Sequence, residues 1–192
     1  MSILRVFTAV EISPEIRSAA TRLIERLKAA PTKVTWTKPA NLHYTLKFLG
    51  DVPETQLPDV CRAVEEAVSP FTPFEIVAGR VGAFPSISRP RTLWIGVTDG
   101  AERVELVFQA LERLLKPLGY PPEGRRFTAH LTLGRVRDSS SGAIEELSEL
   151  LRKHADFDAG AMTVDAVTVF ASTLGRDGPT YEVLSRAEFT GD

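Results

Sequence analysis

Residues 42–49 read LHYTLKFL and residues 128–134 read TAHLTLG, so the frame histidine, any residue, threonine, leucine occurs twice. The chain has three histidines, and two of them, His43 and His130, begin these frames. The two frames lie close to half the chain length apart. This spacing predicts two similar halves with one motif each, at residues 43–46 and 130–133, and two histidines that face each other across a cleft.

Both motif segments have the pattern of β-strands bounded by turn residues. Because side chains alternate along a strand, His43 and Thr45 are expected on one face, and His130 and Thr132 repeat this arrangement. An imidazole and a hydroxyl about 6–7 Å apart on one strand face can bracket a phosphate. A histidine also titrates near neutral pH, so two of them suit acid and base chemistry on one ligand.

Composition limits the class of protein. A chain of 192 residues with 43% hydrophobic residues is expected to form one globular domain. No apolar run approaches the length of a membrane helix and the first residues lack the form of a signal peptide, so a cytoplasmic location is expected. Cys61 is the only cysteine, which excludes an internal disulfide. A net charge of −2 argues against a protein that coats nucleic acid.

Hydrophobic periodicity predicts alternating helices and strands. The predicted helices cover residues 14–30, 54–68, 101–118 and 142–154. The predicted strands cover residues 3–11, 34–37, 42–49, 74–84, 92–98, 128–134, 163–171 and 181–189, with loops at 85–91 and 172–179. Strands often follow one another directly, which favours an α+β fold with antiparallel pairing over a parallel sheet.

Two other interpretations of the motifs compete with a catalytic one. A single His-x-Thr on a strand is more often structural, although two copies in matched contexts are harder to explain that way. The second interpretation is a zinc site, but two histidines without Asp, Glu or Cys at ligand spacing form a poor set of zinc ligands. The third histidine, His154, falls on a helix without a threonine partner, and it is expected to be structural or on the surface.

Residues 36–50 (WTKPANLHYTLKFLG) and 127–135 (FTAHLTLGR) resemble the two signatures of the LigT-like branch of the 2H phosphoesterases, the bacterial and archaeal 2′-5′ RNA ligase family. The similarity extends to residues 84–85, 92–97, 170–172 and 178–181, and so covers nearly the whole chain. The resemblance implies one two-lobed α+β domain over residues 1–192, with antiparallel sheets lining a central cleft and helices on the outer faces.

The same resemblance implies an RNA 2′,3′-cyclic phosphodiesterase that opens the ring to a 2′-phosphate, and an association with ATP-independent, reversible 2′-5′ joining of RNA ends. It assigns His43 as general acid and His130 as general base, with Thr45 and Thr132 on the phosphate oxygens. Arg135 matches the family's HxTxxR pattern and is the candidate for neutralising phosphate charge. Strict alternation would put Arg135 on the face opposite His130, a conflict that a bulge or a strand end at Gly134 would resolve.

The two residues that follow the first motif, Lys47 and Phe48, are secondary candidates for the site. Lys47 shares the His43 face by parity, so a phosphate contact is conceivable. Phe48 falls on the packing face by parity, although a twist at the strand end would let it stack on a terminal base. Five further arginines could guide an RNA strand, namely Arg89, Arg91, Arg125, Arg126 and Arg137.

The expected partner is therefore RNA with a 2′,3′-cyclic phosphate end, tRNA fragments among the candidates. No cofactor, metal or membrane is expected, and the chain is expected to be a monomer. Two alternatives stay open at this point. One is the same fold acting on a small cyclic nucleotide or a 2′-5′ oligonucleotide, or working mainly as a ligase; the other is a noncatalytic module that binds RNA ends.

Overall fold

The computed structural model describes residues 2–124, 126–137, 140–176 and 178–191. Within these ranges the chain forms four α-helices and nine β-strands. The helices are α1 (Pro14–Leu27), α2 (Leu57–Val68), α3 (Ala101–Leu115) and α4 (Ser141–Lys153). The strands are β1 (Ile3–Glu11), β2 (Val34–Trp36), β3 (His43–Pro53), β4 (Phe74–Ser86), β5 (Arg89–Asp99), β6 (Leu131–Val136), β7 (Asp158–Val164), β8 (Ala166–Gly175) and β9 (Gly178–Glu188).

The strands join in one curled sheet in the order β7-β4-β5-β6-β3-β1-β8-β9, while β2 pairs with β6 outside this path. All pairings among the described strands are antiparallel. We call β1, β3, β8 and β9 the first lobe, and β4, β5, β6 and β7 the second lobe. The α+β class and the two lobes are confirmed. The sequence predicted separate antiparallel sheets around the cleft, and in the structure these are the two ends of one continuous sheet.

The lobes exchange strands. β4 follows the first motif and α2 in the chain, but it pairs with β5 and β7 of the second lobe. β8 follows the second motif and α4, but it pairs with β1 and β9 of the first lobe. The second lobe therefore contains β4 from the first half of the sequence, and the first lobe contains β8 and β9 from the second half.

The helices cover the side of the sheet that carries the main core. α1 packs on β7 and α4 packs on β4 and β5, whereas α2 packs on α3, β8 and β9. The start of α1 illustrates the local cause: Ser13 Oγ accepts a hydrogen bond from the backbone N–H of Ile16 at 3.3 Å, and Pro14 takes the first helical position. The apolar face of α1 is buried, and it includes Ile16, Leu23, Ile24 and Leu27. No helix in the described part of the chain is long and apolar enough to span a membrane.

The two predicted loops at 85–91 and 172–179 are tight hairpins instead, because β4 runs to Ser86 and β8 runs to Gly175. Pro85 pairs with Pro90 at the end of the first hairpin, so both residues without a backbone N–H lie opposite each other. The sequence also missed β7: the predicted strand at 163–171 covers the end of β7 and the start of β8, which are separated at Asp165.

Candidate active site

The first motif begins β3 and holds its histidine through two hydrogen bonds. Nδ1 of His43 lies 2.8 Å from the backbone carbonyl oxygen of Asn41, and Nε2 lies 2.9 Å from Oγ1 of Thr45. Because a carbonyl oxygen can only accept, Nδ1 is the nitrogen that carries the hydrogen. Nε2 of the neutral ring therefore accepts from the Thr45 hydroxyl, and this is the nitrogen that remains for proton transfer.

The second motif repeats this arrangement at the edge of β6. Nδ1 of His130 lies 2.7 Å from the backbone carbonyl oxygen of Thr128, again two residues before the histidine. His130 comes just before Leu131, where β6 begins, so the strand starts three residues later than the sequence predicted. The ring of Phe84 meets the His130 imidazole edge to face at 5.1 Å. Both histidines thus have the same tautomer, with Nε2 free of the backbone.

The two motif strands meet at one pair of residues, Tyr44 of β3 and Leu131 of β6. Antiparallel register carried outward from this pair brings His43 toward Thr132 and Thr45 toward His130. His130 is also close enough to His43 to influence the pKa of the His43 imidazole. The structure therefore brings the four predicted histidine and threonine side chains together at the seam between the lobes.

Each motif strand carries a β-bulge one residue after its threonine. In β3, Thr45 pairs with Ala9 and Lys47 pairs with Thr8, which leaves Leu46 as the extra residue. In β6, Thr132 pairs with Trp94 and Gly134 pairs with Leu93, which leaves Leu133 as the extra residue. An extra residue reverses the alternation of faces beyond it. The faces that alternation predicted for Lys47, Phe48 and Arg135 are therefore reversed.

Lys47 is the clearest correction. Its side chain is only 1% exposed and forms an ion pair with Glu112 of α3, on the core side of the sheet. Nζ of Lys47 also donates to the carbonyl oxygen of Pro121 at 2.8 Å, and Glu112 accepts from the backbone N–H of Glu123 at 2.8 Å. Lys47 therefore does not reach the cleft. Its network anchors the segment that leads to the second motif.

Phe48 is inverted in the opposite direction, from the predicted packing face to the cleft. Its side chain is 63% exposed, and its ring lies 5.9 Å from the ring of Phe7. Phe7 in turn stacks on the imidazole of His43 at 4.9 Å. Phe48 thus extends an aromatic surface outward from His43.

Arg135 shares the face of His130 and Thr132 for the same reason. The sequence conflict at Arg135 is resolved by a bulge, located at Leu133 and not at Gly134. The Arg135 guanidinium donates to Oγ1 of Thr92 at 3.2 Å and is otherwise exposed. It is close enough to Tyr181 of the first lobe to oppose the rise in the pKa of that hydroxyl, which burial causes.

The electrostatics of His43 follow from its burial. Loss of hydration lowers the pKa of His43 to about 4, and repulsion from Arg17 and from a protonated His130 acts in the same direction. The hydrogen bond to the Asn41 carbonyl opposes this decrease. With no anion bound, the His43 imidazole is therefore neutral at pH 7.

A family model for LigT-like phosphoesterases matches the chain twice, at residues 10–94 and at residues 95–181, and each match contains one His-x-Thr motif. The chain belongs to the LigT-like phosphoesterase family. Two similar curated proteins come from Aquifex aeolicus and Archaeoglobus fulgidus. The first is 33% identical over 96% of both chains, and the second is 35% identical over 94% of this chain and 98% of its own. Both are named RNA 2′,3′-cyclic phosphodiesterase.

Solved structures show the same LigT-like fold. A Thermus thermophilus structure superposes with a TM-score of 0.83 at 24% identity, covering 98% of this chain and all of its own. Escherichia coli LigT, in a complex with 3′-AMP, superposes with a TM-score of 0.78 at 22% identity, covering 98% of this chain and 99% of its own. The fold of this LigT-like phosphoesterase is thus established along almost its full length.

The sequence missed the aromatic side chains that hold His43 in this LigT-like chain. Phe7, Phe170 and Tyr181 surround the His43 ring at centroid distances of 4.9, 6.2 and 5.4 Å. Alternation along β1 could have placed Phe7 on the face opposite the helices, but nothing local identifies its partners on β8 and β9. Arg125 lies outside the described residues. Within the described ranges, no group of three or more His, Cys, Asp or Glu side chains is arranged to hold a metal ion.

Proposed function

We propose that this protein is an RNA 2′,3′-cyclic phosphodiesterase that opens a terminal cyclic phosphate to a 2′-phosphate without a metal or other cofactor. The observation that carries the proposal is the pair of imidazoles at the seam, each with Nδ1 bonded to a backbone carbonyl and Nε2 left for chemistry. The names of full-length relatives that are 30% or more identical support the same substrate class.

The proposed reaction needs two proton transfers on opposite sides of phosphorus. His130 Nε2 takes a proton from the attacking water, and a P–O bond forms as the P–O3′ bond breaks. His43 Nε2 gives its proton to the departing O3′, which leaves the phosphate on O2′. The proton count balances, since each turnover moves one proton onto His130 and one from His43.

The low pKa of His43 sets a condition on this assignment. An acid must carry its proton before the reaction, yet burial keeps His43 neutral in the empty cleft. A bound phosphodiester brings one negative charge next to the imidazole, which favours the protonated form. Substrate binding is therefore proposed to bring a proton to His43, so that the acid is formed by the substrate it serves.

Thr45, Thr132 and Arg135 are proposed to hold the two nonbridging phosphate oxygens. The two hydroxyls are supported by the antiparallel register of the seam, which directs each threonine toward the histidine of the other motif. Arg135 is supported by its place on the His130 face, with an exposed guanidinium. A guanidinium can donate two parallel hydrogen bonds to a phosphate, which a lysine cannot do.

Phe48 is proposed as a stacking surface for the terminal base. Its exposure is unusual for a large apolar side chain in the middle of a strand, and base stacking is a physical use for such a ring. Phe7 lies beside Phe48, and Phe7 and Tyr181 both contact the His43 ring, so the nucleoside attached to the cyclic phosphate is assigned to the first lobe. A cytoplasmic location, a monomeric state and tRNA fragments as substrates belong to the same proposal.

The test is an oligoribonucleotide ending in a 2′,3′-cyclic phosphate, incubated with chelator and without ATP, with the product identified by chromatography. The expected product ends in a 2′-phosphate. His43→Ala and His130→Ala should each lower turnover by about 10²–10⁴-fold, because each removes one proton transfer. His154→Ala, at the carboxyl end of α4, is the matched control and should keep turnover near that of the wild type.

Each alternative has a distinct outcome in this experiment. Loss of activity in chelator would contradict the metal-free proposal. Tight binding of the RNA end without product would indicate a noncatalytic module. Turnover of a cyclic mononucleotide with no turnover of the oligonucleotide would move the substrate to small cyclic nucleotides.

A further inference from the structure

Asn41 lies two residues before His43, in the 3₁₀ turn Pro39–Asn41 between β2 and β3. Its backbone carbonyl oxygen accepts the Nδ1 hydrogen of His43 at 2.8 Å, and its side-chain amide donates to the carbonyl oxygen of Pro179 at 2.7 Å. Pro179 is 138 residues away along the chain, at the start of β9. One residue therefore joins the first histidine to the outermost hairpin of the first lobe.

The turn that contains Asn41 is anchored on the strand of the second motif. β2, which precedes the turn, pairs with β6, and the backbone N–H of Thr37 donates to the carbonyl oxygen of Leu133 at 2.9 Å. Within the turn, the backbone N–H of Asn41 donates to the carbonyl oxygen of Lys38 at 2.8 Å. The Asn41 side chain adds an attachment to the first lobe, so the turn is held from both lobes.

The hairpin that Asn41 reaches depends on this attachment. The pairing of β8 with β1 ends at Ser172, and residues 173–175 and 178–180 pair only with each other among the strands that the structure describes. A two-stranded hairpin is marginally stable by itself in water. Tyr181 follows directly, and its ring contacts the His43 imidazole edge to face at 5.4 Å. A hydrogen bond that fixes Pro179 therefore also fixes a ring that packs on the histidine.

The Asn41 carbonyl decides which nitrogen of His43 gives up its proton. A protonated imidazole carries a hydrogen on each nitrogen, and a carbonyl oxygen can only accept. The hydrogen on Nδ1 is therefore kept, while Nε2, which lies 2.9 Å from Oγ1 of Thr45, gives its hydrogen away. The hydrogen bond from Nδ1 is stronger when the ring is charged, so the same carbonyl also favours the protonated acid.

We propose that Asn41 is a positioning residue for the general acid: its side-chain amide, bonded to Pro179, keeps its own backbone carbonyl on Nδ1 of His43. The same bond holds the hairpin so that Tyr181 packs against the imidazole. Both contacts are made within the protein, so Asn41 acts through His43 and not on the RNA. This inference rests on the proposed function, because it concerns the acid of that reaction.

Two substitutions test the side-chain amide. Asn41→Leu removes the donor and keeps a branched side chain, and Asn41→Ala removes the donor together with the rest of the side chain. Each should lower kcat for a cyclic phosphate end by about 10-fold to 100-fold, the size of one hydrogen bond to a charged group, and change KM little. Asn41→Gln keeps an amide and should recover part of kcat.

Heteronuclear NMR of the imidazole nitrogens is a readout that a merely structural role would not change. At about pH 8, above the ordinary pKa of histidine, it reports which nitrogen of each neutral ring carries the hydrogen. In the wild type, both His43 and His130 should carry it on Nδ1. In Asn41→Leu the hydrogen of His43 should shift toward Nε2, whereas that of His130 should stay, because the Thr128 carbonyl is unchanged.

Gln56→Met is the matched control. The Gln56 amide also donates to a distant backbone carbonyl, that of Leu118 at 2.9 Å, so this variant loses a comparable hydrogen bond outside the motif segments. It should keep the wild-type kcat and the Nδ1 hydrogen on both histidines.

An unchanged His43 tautomer in both Asn41→Leu and Asn41→Ala would overturn the inference, as would a loss of stability without a loss of kcat. The NMR measurement needs no substrate. A wild-type protein that leaves the cyclic phosphate intact would therefore count against the proposed function, while the tautomer would still decide the role of Asn41.

Discussion

Phe48 and Arg135 occupy corresponding positions on the two motif strands, five residues after His43 and His130. In both strands a bulge at the intervening leucine rotates this position onto the cleft face. The backbone of the site is therefore nearly symmetric, whereas its chemistry is not: one lobe presents an aromatic ring and the other a guanidinium. Under the proposed function, this difference places the nucleoside against Phe48 of the first lobe and the charge of Arg135, from the second lobe, beside the phosphate.

Arg135→Ala should lower kcat/KM for a cyclic phosphate end by about 10²-fold, because a charged hydrogen bond to the transition state is lost. Arg135→Lys should recover part of this loss, since charge is restored without the two-pronged geometry. Steady-state kinetics give both values. Arg113→Ala, at an exposed position on α3, is the control. If Arg135→Ala stays within about twofold of that control, Arg135 does not contact the phosphate.

Phe48→Ala should raise KM for an RNA end by about tenfold and change kcat little, because stacking contributes about 1–3 kcal/mol per base. Phe48→Trp should keep KM near the wild-type value. The ring is already exposed, so the free energy of unfolding should barely change in either variant. A large loss of stability with an unchanged KM would instead assign Phe48 to packing.

Stability should depend on pH through His43. A histidine in the unfolded chain has a pKa near 6.5, whereas burial lowers the pKa of His43 to about 4 in the folded protein. Between these values the unfolded chain binds more protons, so the contribution is full above about pH 6.5 and is lost as the pH falls toward 4. The loss amounts to at most about 3 kcal/mol.

Urea unfolding at about pH 5 and about pH 7.5 measures this effect. His43→Gln should show a smaller decrease than the wild type, and the difference between the two proteins isolates His43 from the carboxylates. Inorganic phosphate should raise the pKa of His43, which NMR titration of the ring proton follows. If the pKa of His43 is near 6.5 without a bound anion, substrate binding is not needed to protonate this histidine.

The buried ion pair gives a prediction about the fold. Lys47→Met should lower the free energy of unfolding by about 3–5 kcal/mol, because it leaves the Glu112 carboxylate without its cation in a buried place. Replacing both residues with Met should recover part of the loss. Lys28→Met breaks the exposed pair with Glu25 and should change stability by less than about 1 kcal/mol. If Lys47→Met and Lys28→Met lower the free energy of unfolding equally, the Lys47–Glu112 pair is as well solvated as the surface pair, which would contradict the prediction.

Gly82→Ala should displace the indole of Trp94, which lies against this glycine. Its new Cβ would lie 2.3 Å from the Trp94 ring, so the indole must move, at an expected loss of about 1–3 kcal/mol. Gly142→Ala in α4 is the matched control, because its new Cβ would meet nothing within 4 Å beyond its chain neighbours and the backbone of its own helix; it should be neutral or slightly stabilising. Thermal unfolding and tryptophan fluorescence report the change, and an unaltered spectrum with unaltered Tm would contradict the close contact.

The sequence predicted the strand faces of the motif residues correctly as far as the two threonines, and it failed just beyond them. Period-two alternation is sufficient up to Thr45 and Thr132, because both strands are regular to that point. One extra residue then reverses the faces, so Lys47 and Phe48 exchange their predicted environments. No propensity identifies Leu46 as a bulge, since a leucine fits a regular strand equally well; pairing with the neighbouring strand decides it.

A pocket in the second lobe, with Arg80, Trp94 and Arg126 among its lining residues, could not be predicted from local sequence patterns, for a different reason. Arg80, Trp94 and Arg126 lie on separate segments, and only the order of strands in the sheet brings them together. The outer strand β7 was not predicted either, nor was the role of Phe157 just before it, whose carbonyl oxygen accepts a hydrogen bond from the backbone N–H of Arg80. The positions of the helices were predicted more accurately, because a helix such as α1 is specified by its own N-cap residue and its own apolar face.

The exchange of strands has a consequence for genetics. Phe84 lies closer in sequence to His43, yet its ring contacts His130, and Phe170 lies closer to His130, yet its ring contacts His43. In a mutational scan, substitutions in β4 will behave as defects of the second histidine and substitutions in β8 as defects of the first. Suppressor pairs should accordingly link opposite halves of the gene.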